Sequence, residues 1–116
     1  MPNRIKLNPR HQKIYSIVCE IPKGCVSTYG DIARFAGYPR CARLVGVALR
    51  SAPDDLNIPW HRVINAQGKI SFSKGSDKAQ IQQQRLEEES VVFMSGVVNL
   101  RQYGWAGNID KDLWQM

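Results

Sequence analysis

The stretch VSTYGDIARFAGYPRCARLVGVALRSAP, Val26 to Pro53, decides the fold. Thr28 stands where a helix N-cap is expected, since its hydroxyl accepts a hydrogen bond from a free first-turn N–H. Asp31 follows at the N3 position of an imperfect capping box. A short helix is expected from Tyr29 to about Ala36, with Gly37 as its stop and Tyr38-Pro39 as the turn. A second helix is expected from about Arg40 to Ser51. Cys41, Val45, Ala48 and Leu49 make its apolar stripe, and Arg40, Arg43, Val47 and Arg50 lie on another face. Two short helices with a tight glycine-containing turn, the second bearing arginines, read as a helix-turn-helix.

Upstream, Ile14, Ile17, Val18 and Ile21 form one helical stripe within Pro9 to Ile21, and Pro22-Lys23-Gly24 ends it. Downstream, the chain is loop-like from Pro53 to Pro59. Val63-Ile64, then Asn65-Ala66-Gln67-Gly68, then Lys69-Ile70-Ser71-Phe72 reads as a β-hairpin with a turn ending in glycine. A hairpin beside a helix-turn-helix makes a winged-helix-like domain. Asp77 to Glu89 is a polar surface helix with only Ala79, Ile81 and Leu86 to bury. Val91 to Met94 reads as a short strand. Tyr103, Trp105 and Trp114 suggest a tail, residues 91–116, packed back on the domain. The expected class is mainly α with a small β-hairpin, in one domain spanning 1–116.

Composition bounds the partners. The chain has 116 residues, with 16 basic against 10 acidic, for a formal charge of +6. Such a surplus favours nucleic acid or another anionic surface. No apolar run is long enough to span a membrane. Met1 to Arg10 is polar and lacks the apolar centre of a signal peptide, so a cytoplasmic protein is expected. Cys19, Cys25 and Cys41 form no CxxC pair and suggest neither a disulfide framework nor a zinc site. They read as small buried or half-buried apolar residues. Neither a metal nor a cofactor is expected.

Four strings in order carry a family resemblance over residues 8–90: VSTYGDIAR (26–34), CARLVGVALRSAP (41–53), PWHRVI (59–64) and RLEEES (85–90). Together they resemble the DNA-binding domain of the O6-alkylguanine-DNA alkyltransferases. In that family a cysteine stands where Trp60 stands here, and it takes an alkyl group irreversibly off damaged guanine. An indole cannot do so, because it has no lone pair free of the ring and its N–H is a donor only. The resemblance therefore narrows to the alkyltransferase-like proteins, the branch without enzymatic activity.

The resemblance implies roles for individual residues. Tyr29 matches the tyrosine that presses on the phosphate 3′ of the target nucleotide and rotates the base out. Arg43 matches the arginine that enters the vacated stack. Thr28, Arg40, Ala42, Gly46 and Arg50 would contact DNA, with the helix in the minor groove, a channel about 6 Å wide in B-DNA. Gly46 fits close packing either on DNA or on the rest of the domain. Tyr29, Pro59, Trp60, Val63, Ser73 and Lys74 would form the lesion pocket. His61 and Glu89 match the pair that activates the thiolate in the enzymes and here have no proton to move. Arg62 matches a residue tied to structure. Ala52 departs from the enzymes, which carry an asparagine there. Ser73 stands where some alkyltransferase-like proteins present an arginine.

The function so implied is recognition of O6-alkylguanine in double-stranded DNA by a monomer, without repair, followed by hand-off to nucleotide excision repair proteins. A winged-helix transcription regulator is the alternative. It explains the charge and the helix-turn-helix but not PWHRV or the Tyr-Gly string.

Overall fold

The computed structural model describes residues 7–106. Helix α1 spans Pro9–Cys19, with Asn8 as its cap and Pro9 in the first turn, where a missing N–H costs nothing. Of the predicted stripe, Ile14, Val18 and Ile21 are fully buried and Ile17 is half-buried, and Tyr15 joins them. The Tyr15 hydroxyl donates to the Ala48 carbonyl at 2.6 Å, which pins α1 to the second helix of the helix-turn-helix.

Strand β1 (Ser27–Thr28) leads directly into α2 (Tyr29–Phe35). Thr28 Oγ1 accepts from the Asp31 N–H at 3.1 Å, the cap expected from the sequence. Gly37 ends this segment at φ +90°, a left-handed conformation that costs glycine nothing. Helix α3 covers Ala42–Arg50, shorter than predicted. Arg40 has φ +66° and precedes the helix, so it does not share the face of Arg43 and Arg50 as a helical residue. Cys41 is the exposed N-cap and not part of the buried stripe, which consists of Val45 and Ala48 with Leu49 half-buried. Cys19 is also exposed, and only Cys25 is partly covered, which corrects the expectation for the cysteines.

The predicted hairpin forms its turn but not its second strand. Asn65 accepts from the Gly68 N–H and donates to the Lys69 carbonyl, both at 3.0 Å. Residues 69–72 are not a strand. Strand β2 (Val63–Ile64) instead pairs in parallel with β1, Ser27 opposite Val63 and Thr28 opposite Ile64. Both β2 side chains are fully buried, so its partner had to come from the interior and not from the polar segment beyond the turn. The antiparallel pair is β3 (Phe93–Met94) with β4 (Val97–Val98), joined by Ser95-Gly96. Both loop residues have positive φ, the signature of a tight two-residue hairpin turn. The Val98 N–H reaches back to the Gly68 carbonyl at 2.8 Å and ties this hairpin to the first turn.

Helix α4 (Asp77–Glu88) is capped by the Ser76 hydroxyl. Its buried residues are Ala79, Gln82 and Leu86. Ile81, expected inside, is 40% exposed. Gln82 takes the interior place because its amide donates to the carbonyls of His61 (3.1 Å) and Val63 (2.8 Å), which would otherwise be orphaned. After α5 (Leu100–Tyr103), Trp105 returns to the core. Its backbone N–H donates to the Val26 carbonyl, and its ring meets Phe35 edge-on at 5.5 Å. Trp114 lies outside the described residues. Among those described, no helix is long and apolar enough to cross a membrane.

Candidate nucleic-acid interface

Pro59 sets the geometry of the site. Its φ of −77° and ψ of 63° make it the centre of an inverse γ-turn, closed by the Trp60 N–H donating to Ile58 at 2.7 Å. The ring of proline confines φ to near this value, so the turn is largely preformed. A single 3₁₀ turn, Trp60–Arg62, follows and runs into β2. The β1–β2 pairing then brings the start of α2 beside this turn. Tyr29 and Trp60, far apart in sequence, open onto one cleft of about 530 Å³.

Ala42, Arg43, Gly46, Leu49 and Arg50 of α3 line the same cleft, as do Phe72 and Lys78. Thr28 caps α2 at its edge. Arg40 is exposed, outside α3. Val63 is fully buried, and neither it nor Pro59 lines the cleft. Ser73 and Lys74 are exposed and do not line the cleft. Lys74 lines a separate groove with Phe93 and Gly96. No cysteine lines the cleft that holds Trp60.

Trp60 is half-buried in a ring of its own neighbours. Phe72 meets its face edge-on at 5.9 Å. The Lys78 ammonium sits 4.7 Å from the ring centre and the Arg85 guanidinium 5.5 Å from it, both within cation–π range. Sequence reading missed Phe72, Lys78 and Arg85. Lys78 and Arg85 are seven residues apart and so share a face of α4, a signal that was readable. Nothing in the sequence placed that face against Trp60.

Behind the turn lies a polar network. The Arg62 guanidinium donates to both Glu89 oxygens, at 3.0 and 2.8 Å, and to the Ile21 carbonyl at 2.9 Å. His61 Nε2 meets Glu89 Oε2 at 2.9 Å. The hydrogen bond from Arg62 is the largest effect holding the Glu89 carboxyl down at about 2. Burial outweighs the pull of Glu89 and pushes the His61 imidazole below its ordinary value. His61 is therefore neutral near pH 7, and His61 Nδ1 is buried without a partner. Among the described residues, no group of three or more His, Cys, Asp or Glu could hold a metal ion.

A helix-turn-helix whose second helix carries arginines beside an aromatic-lined cleft defines a DNA-binding domain built to receive a base. Residues 9–91 match the family model of the 6-O-methylguanine DNA methyltransferase DNA-binding domain. The chain belongs to this family, and within it to the alkyltransferase-like proteins. It is 43% identical to alkyltransferase-like protein 1 of Schizosaccharomyces pombe, over 87% of this chain and 98% of that protein. It is 51% identical to the DNA base-flipping protein of Vibrio parahaemolyticus, over 80% of this chain and 92% of that one. The fold matches the crystal structure of S. pombe Atl1 in complex with damaged DNA containing O6-carboxymethylguanine. That match has a TM-score of 0.73 at 44% identity and covers 87% of this chain and 98% of that one. It also matches Mycobacterium tuberculosis OGT in complex with DNA. Here the TM-score is 0.65 at 32% identity, over 74% of this chain and 52% of that chain.

Proposed function

We propose that this protein is a DNA-damage sensor that binds O6-alkylguanine in duplex DNA and leaves the alkyl group in place. One observation carries the reading: Tyr29, Arg43 and Trp60 share one cleft whose lining contains no thiol. In this reading α3 enters the minor groove along Ala42 and Gly46, with Thr28, Arg40 and Arg50 on the flanking backbone. Tyr29 rotates the damaged nucleotide outward, and Arg43 fills the gap. The base then rests against Trp60, with Pro59 and Val63 behind it, while Ser73 and Lys74 stay on the neighbouring loop outside the cleft. His61 and Glu89 serve as a structural support under the turn.

The whole chain, 1–116, acts as one DNA-binding unit and as a monomer, in the cytoplasm with the DNA. The complex with DNA then marks the lesion for nucleotide excision repair. The test is a titration on one duplex sequence containing guanine, O6-methylguanine or a bulkier O6 adduct, with mass spectrometry of the protein afterwards. Tighter binding to both adducts and an unchanged protein mass are expected. Equal affinity for all three duplexes, or a protein that gains one alkyl group, would overturn the reading.

A further inference from the structure

Lys78 and Arg85 crowd two cations around one indole. Among the described residues neither forms an ion pair with a carboxylate. Lys78 lines the main cleft beside Tyr29, Arg43 and Trp60, a cleft with no acidic residue in its lining. Past Trp60 the surface continues into a second cleft of about 340 Å³, polar where the first is mainly apolar. Arg50, Lys78 and Arg85 line it, against one carboxylate, Asp54. The charge of Arg85 also reaches His61 and helps keep that imidazole neutral.

Two like charges facing one ring repel each other, and an anion set between them relieves that repulsion. The apolar floor of the first cleft suits a base, and the cationic end suits what the base carries. Resting on the sensor reading above, we propose that Lys78 and Arg85 form an anion subsite beyond Trp60. It would select O6 substituents that end in a carboxylate over neutral substituents of the same size. Lys78 and Arg85 are then specificity-determining residues, and the indole that both face is the wall along which the substituent runs.

A DNA phosphate offers the same negative charge, so the test separates the two sources. Duplexes of one sequence carry guanine, O6-methylguanine, O6-carboxymethylguanine or its uncharged amide, O6-carbamoylmethylguanine. Affinities are measured for the wild type, Lys78→Gln, Arg85→Gln and Lys78→Arg. The wild type should prefer the acid to the amide by about fivefold, as expected for a solvent-accessible charge pair. Both glutamine variants should lose that preference and bind acid and amide equally, and Lys78→Arg should retain it. Equal wild-type affinity for acid and amide would overturn the subsite and leave the sensor reading intact. A uniform loss across all four duplexes in the glutamine variants would show phosphate contacts instead. Wild-type affinity equal for guanine and every adduct would defeat the sensor reading itself.

Discussion

Arg62 grips Glu89 with two parallel hydrogen bonds, from Nε at 3.0 Å and from Nη2 at 2.8 Å. This fork joins the turn that carries Trp60 to the C-terminal cap of α4, and the Arg62 bond to Ile21 extends it to the segment just after α1. Paired charges in this bidentate geometry are stronger than ordinary hydrogen bonds and resist rotation. The turn is therefore held from two sides.

Acid should loosen this joint in two stages. Both Glu89 and His61 have folded values below their unfolded ones. The unfolded chain then binds more protons in each window, so stability falls as pH falls. The His61 contribution begins to fade below about 6.5. The Glu89 contribution is present above its unfolded value of 4.5 and is lost as pH drops toward about 2. A shift of that size corresponds to at most about 3 kcal/mol. Urea midpoints measured across this range should fall in wild type, and Glu89→Gln should be less stable at pH 7 but flatter in the lower window. A variant profile parallel to wild type there would remove Glu89 from the account.

Tyr29→Ala and Arg43→Ala should each weaken binding to an O6-alkylguanine duplex more than binding to the undamaged one. The reason is that base rotation and gap filling matter only when a base leaves the stack. A selective loss of about tenfold, or roughly 1.4 kcal/mol, is expected from each. Two variants that bind the lesion duplex as well as wild type would end the flipping model.

Gly46→Ala separates stability from binding. A Cβ at this position meets only the far end of the flexible Arg50 side chain, at 3.4 Å. Core packing therefore does not require a glycine here. Alanine should stabilise α3 by up to about 1 kcal/mol. The same methyl should lower DNA affinity, because it thickens the helix where it enters a narrow groove. Unchanged affinity in a variant with a raised melting temperature would take α3 out of the groove at this position.

Trp60→Cys should transfer alkyl groups only slowly. Ala52 stands where the enzymes carry an asparagine. The cleft around residue 60 is furnished by Phe72, Lys78 and Arg85 for a flat ring and not for a thiol. Mass spectrometry after incubation with O6-methylguanine DNA reads the outcome. Rapid stoichiometric methylation would show that the original site survives beneath the indole.

Affinity for any duplex should fall steeply with added salt, since displaced counterions dominate phosphate contacts. The slope should shrink by about 1 on removing Arg50, in a log–log plot of affinity against salt. A flat wild-type response would argue against the arginine face of α3 as the DNA surface.

Most of the local signals were legible in the chain. The Thr28 cap, the Gly37 stop, the α1 stripe and the PWHR string each depend on neighbours a few residues apart, so the sequence by itself determined the helix-turn-helix and put an indole, not a thiol, at residue 60. Long-range pairing was another matter. That β2 would join β1 in parallel, that Gln82 and not Ile81 would be buried, and that Lys78 and Arg85 would flank Trp60 depend on how α4 and the tail pack. Such contacts are chosen by burial and hydrogen-bond satisfaction across the whole core, which no short window contains. Only the tertiary structure decided that two cations of α4 lie against the indole.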